Sequence, residues 1–169
     1  IEGSFRGHKA IPGKYTLTLE VGETSYNSEF EILKNPNFSV SDGDYVDLDK
    51  YATHMENNFN EMAKYINNNK ELIDKLGVLV KELDENPEVR ENGEKLLELM
   101  NSWDKKMMQR MSKAYDDVEN FPNKFLADYL FILDEIKGDI PNVSEGILKS
   151  LKSHDEKWVE LKKEIDEIN

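Results

Sequence analysis

Four aspartates, Asp42, Asp44, Asp47 and Asp49, crowd one short stretch of this chain, and carboxylates at that density are what a calcium ion takes as ligands. The spacing argues against such a loop. Counted from Asp42, an EF-hand needs glycine at its sixth position and glutamate at its twelfth, and the sequence supplies Asp47 and Thr53. The same residues suit the positive N-terminal end of a helix, so the stretch reads as a solvated connector whose last aspartates cap the helix that follows. A carboxylate-bridged metal bundle would require glutamate three residues before an inward histidine, and the residues before His8, His54 and His154 are Phe5, Tyr51 and Leu151. There is no His-Glu-x-x-His zinc motif, phosphate-binding Gly-rich loop or Gly-x-Ser-x-Gly elbow. The 35 acidic residues make chance carboxylate pairs inevitable, so a glycosidase-like pair is neither indicated nor eliminated by counting. No catalytic, cofactor-binding or metal-binding residue is therefore assigned, and no cofactor is expected.

The remaining chemistry-bearing residues interrupt helical seams. From Leu48 onward, Leu48, Ala52, Met55, Phe59, Met62, Ile66, Asn69, Ile73, Leu76, Val80 and Leu83 alternate steps of four and three, which predicts a helix roughly 57 Å long at 1.5 Å per residue. Whether it runs unbroken through Asn67, Asn68, Asn69 and Gly77 is left open, since these residues weaken a helix only modestly. Asn86 and Pro87 open a second seam of Val89, Gly93, Leu96, Met100, Trp103, Met107, Arg110 and Ala114, which frays into 116–120. Pro122 opens a third, shorter one with Leu126, Tyr129, Leu133 and Ile136. The fourth carries Ile147, Leu151, His154, Trp158, Leu161, Ile165 and Ile168 after a cap at Asn142 or Ser144. Asn69, Gly93, Arg110 and His154 are the exceptions, and polar residues in a seam mainly fix register. His154 and Trp158 share a face, which fits a packed histidine better than a ligand. Met100, Met107, Met108 and Met111 could form an adaptable groove, but two of them already lie on the seam and read as core. Asn37 and Asn142 begin glycosylation sequons, relevant only where exported proteins are glycosylated.

Ahead of the helices, Tyr15, Leu17, Leu19 and Val21 alternate with Thr16, Thr18 and Glu20; after Gly22 and Glu23, Tyr26, Phe30 and Ile32 alternate with Asn27, Glu29 and Glu31. Period two around a glycine turn predicts a β-hairpin. Two strands with one apolar face are marginal alone and expose both edges. Ile1 to Phe5 could add a third strand, and the face is expected to be covered partly by the helices and partly by residues preceding Ile1. The expected fold is α+β, mostly α: a short N-terminal antiparallel hairpin or three-stranded piece over 1–36, an acidic linker over 37–47, and an antiparallel four-helix bundle over 48–169.

The chain has 169 residues and a net charge of −13, and up to Pro36 it has 4 Lys or Arg against 5 Asp or Glu, so the helices hold the acidity. Such a surface repels phosphate backbones, and nucleic acid and anionic membranes are not expected partners. No stretch approaches the roughly 18 apolar residues of a membrane span. The absence of cysteine excludes disulfides and thiolate chemistry but leaves the compartment open. The sequence opens at Ile1 with neither Met nor a leader-like segment, as expected of one end of something larger.

The runs Pro12 to Tyr26, Phe30 to Pro36, Phe121 to Leu126 and Trp158 to Asn169 resemble the C-terminal region of large exported bacterial β-propeller proteins, the sortilin-like proteins often labelled glycosyl hydrolases with BNR or Asp-box repeats. The resemblance implies a secreted or periplasmic C-terminal appendage in which the last strands of an immunoglobulin-like sandwich lead into the bundle. It carries no activity, because the propeller and any Asp-box (Ser-x-Asp-x-Gly-x-Thr-Trp) are missing; Ser41-Asp-Gly-Asp does not fit that box. The expected function is a non-catalytic structural or protein-interaction module whose partner is the preceding domain of the same polypeptide or another protein. The alternatives are an accessory module of a carbohydrate-active enzyme, with Tyr15 or Tyr26 stacking on sugar, and a free-standing adaptor that oligomerises through its seams. The oligomeric state is not specified by the sequence.

Overall fold

A computed structural model describes residues 7–83, 86–112, 119–138 and 140–168. Strands β1 (Gly13–Val21) and β2 (Thr24–Ile32) form a two-stranded antiparallel sheet, followed by α1 (Asp42–Glu82), α2 (Pro87–Met107), α3 (Phe125–Ile136) and α4 (Glu145–Ile168). The expected α+β, mostly α architecture of a hairpin followed by four helices is the observed one. The hairpin register pairs Tyr15 with Phe30, Leu19 with Tyr26 and Val21 with Thr24. Its turn depends on Gly22, whose φ of 61° lies in the left-handed region that glycine enters without a Cβ penalty. The suggested third strand, Ile1 to Phe5, lies outside the described residues.

Helix α1 starts at Asp42, six positions before the first seam residue, so the expected linker is shorter than 37–47. The reason is local chemistry. The Ser41 hydroxyl accepts from the Asp44 N–H at 3.2 Å while the Asp44 carboxylate accepts from the Ser41 N–H at 2.7 Å, a closed capping box. The helix then runs unbroken for 41 residues through Asn67 to Asn69 and Gly77, because its seam residues Leu48, Ala52, Met55, Met62, Ile66, Asn69 and Val80 are buried against partners. Helix α2 begins at Pro87 as expected but ends at Met107 instead of continuing to Ala114. Arg110 is therefore not a seam residue; it lies past the helix end, where its guanidinium grips Asp104 through two hydrogen bonds of 2.5 and 2.7 Å. Ala114 and 116–118 lie outside the described residues. Helix α3 starts at Phe125, three residues after Pro122, and α4 follows Ser144, whose hydroxyl accepts from the Ile147 N–H at 3.3 Å.

Helix directions follow from side-chain partners. Asn69 meets the Met100 carbonyl and Val80 meets Gly93, so α2 returns antiparallel along the C-terminal half of α1. Tyr129 meets Asn58, and Lys137 at the end of α3 meets Glu56, so α3 continues that return along the N-terminal half. Helix α4 then climbs parallel to α1, placing Asp155 beside His54 and Asn58, and Trp158 and Lys162 beside Glu61. The two middle helices thus follow one another along α1 while α4 closes the other side.

The core where they converge contains Met55, Met62, Ile66, Trp103, Met107, Tyr129, Leu133, Ile136, Leu151, Trp158, Leu161 and Ile165. Trp103 satisfies its indole N–H on the Leu161 carbonyl at 2.7 Å, as a buried indole must. None of these residues comes from the hairpin.

Candidate interaction surfaces

Strand alternation places Tyr15, Leu17, Leu19 and Val21 of β1 and Tyr26, Phe30 and Ile32 of β2 on one face of the sheet. The other face carries Lys14, Thr16, Thr18 and Glu20 against Asn27, Glu29 and Glu31, with Thr18 donating to Asn27 at 2.7 Å. The helices were expected to cover part of the apolar face, and along most of its length they do not: Leu17 is 63%, Leu19 59%, Tyr26 60% and Phe30 47% exposed. Only its base is sheltered. There Tyr15 stacks on Phe30 with ring centroids 5.7 Å apart, and its hydroxyl donates to the Ile11 carbonyl at 2.6 Å. The cause of the exposure is topological. The seam of α1 from Ala52 to Ile66 packs into the core with α2, α3 and α4, and only Leu48 near its start lies beside the hairpin base.

The residues singled out on the helices sort mainly into packing roles. A Cβ on Gly93 would stand 2.6 Å from Val80 Cγ2, so this glycine permits the close crossing of α1 and α2. Asn69 is 1% exposed and donates to the Met100 carbonyl at 3.2 Å, while its Oδ1 has no partner. His154 stacks on Phe125 at 5.9 Å and shares a 2.8 Å hydrogen bond with the Ser150 carbonyl; its neighbour Trp158 is buried and donates to Glu61 at 3.0 Å. The Lys162 ammonium, ahead of the Trp158 N–H, holds the Glu61 carboxyl below its usual range despite partial burial. Met100 and Met107 are core, Met108 packs against it, and Met111 is exposed. The four aspartates are dispersed: Asp42 pairs with Lys34, Asp44 completes the capping box, Asp47 is exposed and Asp49 meets His8. Among the described residues, no group of three or more His, Asp or Glu is arranged to hold a metal ion.

Two polar clusters arise that the sequence reading did not assemble. In the first, Asp155 of α4 accepts from Asn58 at 3.0 Å and Tyr129 at 3.2 Å and meets His54 Nε2 at 2.8 Å, tying α1, α3 and α4 together. Burial, chiefly, pushes the Tyr129 hydroxyl well above its usual range, and the Asp155 carboxylate adds to this. In the second, His8 lies between Asp49 and Glu56 of α1, and Glu56 also meets Lys137 at 3.2 Å. Beside it is a cavity of about 430 Å³ between the hairpin base and the bundle, lined by Ile11, Pro12, Leu33, Tyr45 and Leu48 among others. These pairings span 26 to 101 positions, so no local motif announces them.

Hairpin, capped long helix and bundled return define a helical module with an appended, uncovered sheet. No protein-family model, curated protein or solved structure matches the chain.

Proposed function

We propose that this chain is a non-catalytic structural or protein-interaction module whose hairpin docks, apolar face inward, on a β-sheet belonging to a larger exported polypeptide. The observation that carries this reading is the uncovered ladder of Leu17, Leu19, Val21, Tyr26 and Phe30, which contains no charged side chain. Scattered exposed apolar residues need no explanation, but a contiguous row on an ordered strand pair marks a contact surface. Its size selects the kind of partner. Nine-residue strands at about 3.3 Å per residue and two strands at about 4.8 Å spacing give a face of roughly 300 Å². Two such faces bury about 600 Å² in all, well short of the roughly 1,200 Å² of a stable complex between separate proteins. A sheet tethered on the same polypeptide needs less area, because its effective concentration is already high. The resemblance to the C-terminal region of sortilin-like propeller proteins supports a secreted or periplasmic setting and a sandwich as the receiving sheet.

The test is the intact mass of the native polypeptide carrying this segment, captured with an antibody against the bundle. A mass several times 19.6 kDa, with β1 and β2 amides protected from hydrogen exchange in that longer chain, is expected. A native mass near 19.6 kDa overturns the reading. A second reading, an accessory carbohydrate-binding or docking module of a glycoside hydrolase, rests on the exposed ring of Tyr26. Glycan-array binding abolished by Tyr26→Ala would promote it, and a blank array removes it.

A further inference from the structure

We propose that His8, held between Asp49 and Glu56, is a pH-sensitive clasp that fixes the base of the hairpin to the bundle while protonated and releases it when neutral. The inference goes beyond the docking role and does not depend on it. Nδ1 lies 3.1 Å from Glu56 Oε2 and Nε2 lies 3.0 Å from Asp49 Oδ1. Both ring nitrogens therefore face carboxylate oxygens. A neutral imidazole has one N–H and one lone pair, and the lone pair would be directed at an anion; only the imidazolium donates at both positions. The His8 backbone N–H adds a third bond, to Glu56 Oε1 at 2.7 Å.

Charge balance gives the same answer. Asp49 and Glu56 come from α1, and Lys137 comes from the end of α3; Lys9 and Tyr45 line the adjoining cavity. With His8 protonated, the clasp sets two cations, His8 and Lys137, against two anions. With His8 neutral, one carboxylate loses its counter-ion in a half-buried site.

The position gives the clasp its leverage. The His8 segment runs directly into β1, and the strand side chains beyond the hairpin base are exposed, so the hairpin is anchored by its ends. Loosening the first anchor leaves the connector between β2 and α1 as the remaining one. The cavity beside the clasp means that little close packing would hold the segment once the ion pairs are lost.

The pH window follows from the two titrating partners. Burial disfavours the imidazolium, but the hydrogen bonds and charges of Asp49 and Glu56 outweigh it and raise His8 above its ordinary 6.5. Its contribution is complete below 6.5 and is lost as pH climbs through the raised value. Burial likewise disfavours the Glu56 carboxylate, but the bonds from His8 and Lys137 hold it below its ordinary 4.5, so its contribution disappears only as pH falls through that lowered value. The grip is firmest at mildly acidic pH, between the two ranges.

Because the chain contains no cysteine, spin labels can be placed uniquely at Glu23→Cys in the hairpin turn and Ser102→Cys on exposed α2. Their distance distribution should be narrow at mildly acidic pH and should broaden at mildly alkaline pH, with helical circular dichroism unchanged. His8→Gln should be broad at both values. His8→Arg, which keeps its charge and a fork of donors, should be narrow at both. A separate NMR titration of the unlabelled chain should place the His8 midpoint above 6.5. Equal widths at the two pH values in the otherwise native chain, or a His8→Gln response that matches it, overturns the proposal. If a variant does not fold, the pH comparison of the otherwise native chain decides alone.

Discussion

At Gly93, two local effects oppose each other. Alanine in a helix interior is favoured over glycine by about 1 kcal/mol, yet here its Cβ would stand 2.6 Å from a branched side chain. Overpacking of that kind costs about 1–3 kcal/mol, so Gly93→Ala is expected to destabilise the chain in urea unfolding. Adding Val80→Ala should recover much of the loss by vacating the contested space. Asn69 poses the reverse case. Its Oδ1 is buried without a partner, so replacement by leucine, of similar size, should raise stability by about 1 kcal/mol, read as a higher denaturant midpoint. The sequence marked both positions as seam exceptions, but it could not say why each is tolerated. One accommodates a neighbour's methyl group and the other half-satisfies a buried amide, and both depend on which residues of α1 and α2 come opposite each other.

Among the elements, α1 shows how local chemistry sets a boundary. The apolar pattern begins at Leu48, yet the helix begins at Asp42 because Ser41 and Asp44 satisfy each other's backbone donors. Ser41→Ala should lower stability by about 1 kcal/mol and fray the first turn, detectable as faster exchange at Asp44 and Tyr45. At the far end, exposed pairs such as Lys70 with Asp74 and Arg90 with Glu94 add only a few tenths of a kcal/mol each. The tip of α1 and α2 therefore depends on Val80 and Gly93 for its packing. Helix α2 demonstrates the opposite lesson. Its period-matched extension through Arg110 is not used: the chain departs from helix at Met108, and Arg110 reaches back to neutralise the buried Asp104, 6% exposed. An ion pair with a partner six residues earlier stands where hydrophobic periodicity suggested a continuation.

For the whole molecule, the hairpin and the bundle answer to different forces. The bundle buries a continuous core, whereas the hairpin is held by cross-strand hydrogen bonds, the Tyr15–Phe30 stack and its attachment near His8. Substituting Leu17 and Leu19 by serine should therefore leave bundle stability within about 0.5 kcal/mol, measured by circular dichroism at 222 nm, because neither side chain contributes to the core. A large loss would mean the sheet is bound to the helices after all. The sequence by itself determined the elements: alternation around Gly22 makes the hairpin, four seams make four helices, and the burial of Leu126, Tyr129, Leu133, Ile136, Leu151, Trp158 and Leu161 follows from their spacing. Those features depend on neighbours three or four positions away, where side-chain periodicity carries the information. Tertiary structure alone decided that α2 and α3 share the length of α1, that α1 to α4 leave most of the sheet's apolar face exposed, and that His8 meets Asp49 and Glu56 while His54 meets Asp155. Such pairings join residues tens of positions apart, and only the folded arrangement of the helices fixes which polar groups meet once the apolar seams have closed.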